Sequence, residues 1–406
     1  MIEGTLEEQA VFIEGLLGID EHAHDDRQLA TSLVHGYGGY RSAAGDVSCP
    51  IHMSSTFAHP SFDGSTGFMY SRCGNPTRLE LENTIALLEG GKKAWAFSSG
   101  MAAITTFMKL FSAGDHLLVS DDLYGGTYRL FSSYYTRFGI EFSYVDFTNA
   151  AEVEASIRGN TRALFLESPT NPTMKVVDLA AIGELAASRN LLFVVDNTLM
   201  TPLFQQPFRF GADIVVHSGT KYLCGHNDVT AGFLVLRDGE LIQSIFDIAM
   251  SEGALLAPFD SWLMLRSLKT LELRLARQQE NAFAIVEFLK AHPHVTDVYY
   301  AGDPDHPAYE LSCRQTTGFG AMISFRVDAP ERVLSVLERL RVISYAESLG
   351  GVESLMTFPL MQTHGAMDPA LRAKLGIDER LLRLSVGIEA AGDLIADLDQ
   401  ALCALP

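Results

Sequence analysis

Between about residue 73 and residue 265 the chain carries short apolar runs set among longer stretches of helical spacing: KAWAFSSG, HLLVSDD, EFSYVDF, RALFLESP, LLFVVDN, DIVVHSG and FLVL. Runs this short and apolar on both faces have the pattern of buried strands. Strands that alternate with helices pair in parallel, because each crossover needs a helix. The pattern therefore predicts an α/β domain built on a largely parallel sheet.

The flanking regions read differently. Residues 1–72 are rich in turn formers, as in HGYGGYRSAAGD and HPSFDGSTG, and read as an arm. Beyond residue 265, the stretch SWLMLRSLKTLELRLARQQENAFAIVEFLKAH has no internal Gly or Pro. It predicts one long amphipathic helix leading into a smaller C-terminal α+β domain over 266–406. A chain of 406 residues exceeds one simple core, in keeping with this division into 1–72, 73–265 and 266–406.

Charge and cysteine content narrow the function classes. A formal net charge of -20 argues against nucleic acid or an anionic membrane as the main partner. The five cysteines are widely spaced with no CxxC pair, so neither a disulfide framework nor a zinc knuckle is expected. His22, His24, Asp25 and Asp26 cluster, but they read as a solvated arm rather than a metal site. The acidic start lacks the order of a signal peptide, and no apolar run approaches the ~20 residues of a membrane span. The expectation is a cytoplasmic protein without a metal.

In open parallel sheets, ligands gather at the carboxyl ends of the strands. After KAWAF come Ser98, Ser99, Gly100, Met101 and Ala102 at the start of a helix. That pattern suits a phosphate cradle, and it equally suits an ordinary N-cap. After LLFVV comes Asp196, which needs a cation or several donors to stay charged there. HLLVS leads to Asp121, Asp122 and Tyr124, and RALFL leads to Glu167, Ser168, Pro169, Thr170, Asn171 and Pro172. DIVVH leads to Ser218, Gly219, Thr220 and Lys221, and a lysine at the end of a buried strand needs a partner or a task. Cys224, three residues on, reads as packing.

This set suits pyridoxal phosphate (PLP), which needs a lysine to hold it covalently, an acid for its ring nitrogen, a phosphate site and a stacking ring. Ser218-x-x-Lys221 also matches the S-x-x-K of penicillin-recognising hydrolases, but the accompanying S-D-N and K-T-G are absent. No G-x-G-x-x-G follows any strand, so a dinucleotide site has no support.

From about residue 30 to the C-terminus the chain resembles the cystathionine γ-synthase/γ-lyase group of PLP enzymes, the Cys/Met metabolism family. The resemblance is carried by Tyr70 to Thr77, Ser98 to Ala102, Tyr124 to Thr127, Glu167 to Pro172, Val195 to Thr198, His217 to Asp228, Ala346 to Ser354 and Arg383 to Gly387. It implies the PLP-dependent transferase fold type I. It also implies that Lys221 is the covalent anchor, that Asp196 pairs with the ring nitrogen, and that Tyr124 stacks on the ring and moves protons. By the same resemblance Gly100, Met101, Ser218 and Thr220 hold the phosphate. Tyr70 and Arg72 reach the phosphate of a neighbouring subunit, making the active unit at least a dimer and by family habit a homotetramer. Arg383 clamps the substrate carboxylate, helped by Ser348 and Asn171.

The implied chemistry is elimination or replacement at Cγ, or elimination at Cβ, of an amino acid, since one site geometry serves all three. Glu347 and Arg129 match positions of cystathionine-handling members, where they would receive the distal charges of cystathionine. Gly126 stands where methionine γ-lyases often carry a cysteine, and Met69 where many cystathionine enzymes have Asp or Glu. The stretch from Gly351 to His364 looks most like bacterial γ-synthases and β-lyases. The expected activity is that of a cystathionine γ-lyase or γ-synthase. The alternatives are a β-lyase, a methionine γ-lyase, or a γ-lyase for another γ-substituted amino acid.

Overall fold

The computed structural model describes residues 27–37, 45–365 and 367–404. The His22–Asp26 cluster lies outside the described residues. All the apolar runs enter one seven-stranded sheet. Its strands are β1 Lys93–Phe97, β2 His116–Ser120, β3 Glu141–Val145, β4 Thr161–Glu167, β5 Leu192–Asp196, β6 Ile214–Ser218 and β7 Gly232–Leu236. They lie in the order β1-β7-β6-β5-β4-β2-β3. Strands β2 to β6 pair in parallel with their neighbours. Strand β7 is antiparallel to both β1 and β6, because the link from β6 is the turn carrying Lys221 rather than a crossover helix.

Helices cover both faces. Helices Pro76–Glu89 and Leu179–Arg189 bury their apolar sides in a rear core with Leu164, Val195 and Val215. Helices Gly100–Met108 and Ile242–Glu252 pack in a front core with Phe165, Val194 and Val216. Local sequence sets the helix ends. Asn75 accepts N–H bonds from Thr77 and Arg78, Pro76 fills the first turn, and Gly90 stops the helix in a left-handed conformation.

The long amphipathic stretch forms two helices, Pro258–Leu268 and Leu271–Ala291, where one was expected. The break at Lys269 and Thr270 has a physical cause. Arg274 is buried, and its guanidinium takes Ser267 O at 3.1 Å and Thr270 Oγ1 at 3.2 Å. These are groups a continuous helix would use or turn outward. No Gly or Pro announces such a break.

The second sheet has five strands in the order β10-β11-β12-β9-β8. They are β8 Val295–Tyr299, β9 Met322–Val327, β10 Ser344–Tyr345, β11 Leu355–Thr357 and β12 Leu381–Ser385. Helices Pro330–Arg339 and Ala391–Leu402 close its core. Among the described residues no helix is long and apolar enough to cross a membrane.

Candidate active site

The carboxyl ends of β1, β4, β5 and β6 open into a cavity of about 360 Å³ whose far wall comes from the second sheet. Gly100, Met101, Tyr124, Asn171, Asp196, Ser218, Thr220 and Lys221 line it. Glu347, Ser348 and Arg383 line it from the other side. At the start of helix Gly100–Met108, the Ser99 hydroxyl accepts the Ala102 N–H at 3.0 Å. Ser99 is thus a helix cap, and the amides ahead of Ala102 stay at the positive end of the helix dipole. A Cβ on Gly100 would lie 3.0 Å from Ser218 Cβ, so the close approach of helix and strand needs glycine. The Thr220 hydroxyl is engaged by Ala231, accepting its N–H at 2.9 Å and donating to its carbonyl at 3.2 Å.

Two acids sit side by side at the cavity floor. Glu167 and Asp196 are register partners on β4 and β5. Asp196 Oδ1 accepts the N–H and the hydroxyl of Thr198. Thr198 Oγ1 in turn accepts the Ser218 N–H at 2.8 Å, tying β5 to β6. Glu167 receives the backbone N–H of Tyr124 on both oxygens, at 3.1 and 3.3 Å, which places Tyr124 over the floor. Burial pushes both carboxyls up, and Glu167 well above its ordinary value because Asp196 and Asp122 add their charges. Among the described residues neither acid makes an ion pair, so the floor fits a ligand that brings its own N–H⁺, as a pyridinium does.

Above that floor, Lys221 Nζ donates to Ser348 Oγ at 3.0 Å. Burial brings this amine down to about 8, with the Arg383 charge acting the same way and Glu347 opposing. Ser348 has φ of 91°, a strained conformation for a residue with a Cβ. That backbone aims the Ser348 hydroxyl at Lys221 and its carbonyl at Arg383, which donates to it at 2.9 Å. Arg383 is 1 % exposed and also holds Asn171 Oδ1 at 2.9 Å and Thr357 Oγ1 at 3.0 Å, while its Nε meets no protein acceptor. Burial lowers this guanidinium to about 10, so it remains a cation at neutral pH. A fixed fork with N–H groups to spare suits a carboxylate.

The family model for Cys/Met metabolism PLP-dependent enzymes matches residues 30–403. The chain belongs to that family. It is 47% identical over 372 residues to the cystathionine gamma-lyase of Bacillus subtilis (strain 168), covering 92% of this chain and 98% of the relative. It is 46% identical over 374 residues to the cystathionine beta-lyase MetC of the same organism, covering 92% and 96%. The crystal structure of cystathionine gamma synthase from Xanthomonas oryzae pv. oryzae in complex with cystathionine superposes with a TM-score of 0.90 at 41% identity, covering 93% of this chain and 98% of that one. The protein is therefore a PLP-dependent enzyme with the fold the sequence predicts, and a small amino acid is its class of substrate.

Three expected site residues of this PLP enzyme stand apart from the cavity of their own chain. Arg129 ends the short helix Gly125–Arg129 and is exposed. Tyr70 is 45 % exposed, with the Arg72 guanidinium 5.6 Å above its ring. Arg72 Nη1 donates to Met250 O, on the outer side of the front helices. Conversely, no role was predicted for Thr198, Glu167 or Thr357. The Asp-x-Thr spacing after β5 was the readable signal for Thr198, since such spacing makes a side-chain turn. The pairing of Glu167 with Asp196 depends on strand order, which local pattern does not carry.

Proposed function

We propose that the protein catalyses γ-elimination or γ-replacement on a γ-substituted amino acid, of the cystathionine γ-lyase or γ-synthase type. The observation that carries this reading is the convergence in one cavity of Lys221, the fixed fork of Arg383 and the cation-seeking floor of Asp196 and Glu167. The close identity to enzymes named for cystathionine supports it.

Bound PLP would supply the electron sink that makes bonds at the substrate Cα labile. Lys221 would hold it, Asp196 would pair with its ring nitrogen, the amides of Gly100 and Met101 with Ser218 and Thr220 would hold its phosphate, and Tyr124 would stack on its ring. Arg383, with Asn171 and the Ser348 carbonyl, fixes the substrate carboxylate and so orients the Cα–H. Lys221, freed by the incoming amine and brought to about 8 by burial, takes the Cα proton as a neutral base. After handing that proton back to the bound substrate, the amine would take a second one from Cβ and give it to the departing γ-substituent. Ser348 Oγ steadies the amine between these positions. Glu347 at the cavity wall offers a carboxylate to a distal ammonium.

Tyr70 and Arg72, exposed and turned away from their own cavity, complete the phosphate site of a neighbouring subunit, so the active unit is at least a dimer and by family habit a tetramer. Arg129 acts on the distal end of the substrate only if the assembled or closed enzyme moves it inward. The chain divides on this reading into an arm (1–72), a PLP-binding domain (73–265) and a small domain (266–406), which the presence of two separate sheets supports. The place of action is the cytoplasm.

The test is product analysis with PLP-loaded enzyme and L-cystathionine alone. Release of 2-oxobutanoate and cysteine is expected. Pyruvate with homocysteine would make the enzyme a β-lyase, a reading that the 46% identity to such an enzyme favours next. No product from cystathionine, and none from an O-substituted homoserine with a thiol, would sink the assignment.

A further inference from the structure

Side chains alternate along β5 and β6. Asp196 and its register partner Val216 belong to the front face with Val194. Asn197 and His217 therefore turn to the rear face, where Val195 and Val215 lie in the rear core. There Glu89, the last residue of helix Pro76–Glu89, meets them. Its Oε1 lies 2.8 Å from His217 Nε2 and accepts Asn197 Nδ2 at 2.8 Å. The side chains of Glu89 and His217 are both 0 % exposed. Among the described residues no lysine or arginine pairs with Glu89, and neither its Oε2 nor His217 Nδ1 meets a protein partner.

Packing does not account for this arrangement, because an apolar pair of similar volume would fill the space with no desolvation penalty. A carboxylate so far from water needs a positive charge, and His217 is the group in contact able to supply one. On the far side of the same strands, Asp196 has the same need. Glu167 on β4 faces it with a second carboxyl group, and Asp122 beyond β2 adds a further acid to that floor. Thr198 gives it hydrogen bonds, and His217 follows its register partner Val216 on the neighbouring strand β6.

We propose that Glu89 and His217 form a buried ion pair whose imidazolium half, behind the sheet, keeps Asp196 anionic, making both residues positioning groups for the cofactor ring nitrogen from outside the cavity. This rests on the reading of Asp196 as that nitrogen's partner. Neither residue touches cofactor or substrate; Glu89 fixes the charge on His217, and His217 acts on Asp196 through the strand ends.

Glu89→Gln separates charge from shape, since the amide keeps an oxygen in the place of Oε1. The measurement is the ¹⁵N chemical shift of ring-labelled PLP bound to the holoenzyme, together with the dissociation constant for PLP. The expected result is a native circular dichroism spectrum, a ring-nitrogen shift moved toward the unprotonated value, and PLP binding weaker by roughly tenfold, the effect of about one unit of differential protonation. His217→Gln should do the same, and the double variant should add little, because both remove one charge pair. Should Glu89→Gln fail to fold, His217→Gln carries the same test. A native nitrogen shift and native affinity in the folded variants would overturn the proposal while leaving the functional reading intact. Failure of the wild-type protein to take up PLP at all would overturn that reading, and this inference with it.

Discussion

Lys221 is largely buried in the cavity, and burial brings its amine down to about 8. The neutral amine is the form that attacks, so covalent uptake of PLP by stripped protein should quicken about tenfold per pH unit below 8 and level off above it. Stopped-flow absorbance across pH 6 to 9 checks this, and a pH-independent rate would mean the amine is already neutral. Lys221→Ala should lower turnover by at least ~10²–10⁴-fold, the usual worth of a positioned base. At Gly126 a Cβ would fall 2.4 Å from the Tyr124 ring. Gly126→Cys should therefore displace that ring and lower kcat, with thermal stability little changed; a variant of native kcat would show that Tyr124 tolerates the shift. The individual chemistry of Lys221 and Asp196 was legible in sequence because each is an ionisable group at the end of an apolar run, whereas Arg383, in the middle of β12, was reached only through the family resemblance. The rear pair, Glu89 and His217, was not, because nothing local marks two residues 128 positions apart as neighbours.

At the scale of elements, the turn after β6 depends on a helix from the far side of the chain. Arg274 donates to Tyr222 O at 2.8 Å and reaches Leu223 O, so it caps the carbonyls of the turn that presents Lys221. Gly225 closes that turn at φ of 70°, and a Cβ there would lie 1.9 Å from Arg274 Nη1. Gly225→Ala should cost about 1–3 kcal/mol and loosen PLP, measured by urea unfolding and by cofactor release. Stability unchanged within error would show the turn to be adaptable. In the small domain, burial raises the Asp397 carboxyl, but N–H bonds from Ile343, Val342 and Arg341 outweigh it and hold the group below 3.8. A carboxyl depressed by folding stabilises above its unfolded value and loses that contribution as pH falls through the folded one. Asp397→Asn should thus cost about 2 kcal/mol at pH 7 and progressively less below pH 4. Equal losses at both pH values would mean that the charge contributes nothing. The inner strands of the first sheet were readable because they are largely apolar on both faces, while edge strand β3 carries Glu141 and Ser143 on one face. The break at Thr270 was not, because it answers to the bonds of the buried Arg274 side chain to Ser267 and Thr270, while local propensity there favours a continuous helix.

For the molecule as a whole, the location of Tyr70 and Arg72 away from their own cavity makes a shared site testable. Lys221→Ala and Arg72→Ala should each be inactive, yet subunits mixed from the two should regain activity, because one protomer of each hybrid pair keeps Lys221 and borrows an intact Arg72. No recovery after verified exchange would place both residues in one and the same site. Subunit sharing could be inferred from family likeness but not from periodicity, since an arm looks the same whichever chain it serves. Strand β7 bears on how such a protein is made. Among the described residues β1 pairs with β7 on one edge and with residues 254–256 on the other, so residues 93–97 wait for partners at least 135 positions later before their ladder forms. As the chain leaves the ribosome, β1 must stay unpaired across that whole interval, an exposed edge at which aggregation begins. The helix start at Gly100 lies against Gly232 at the head of β7, where a Cβ would fall 2.2 Å from Ser99 O, so uptake of PLP reports that synthesis has passed β7.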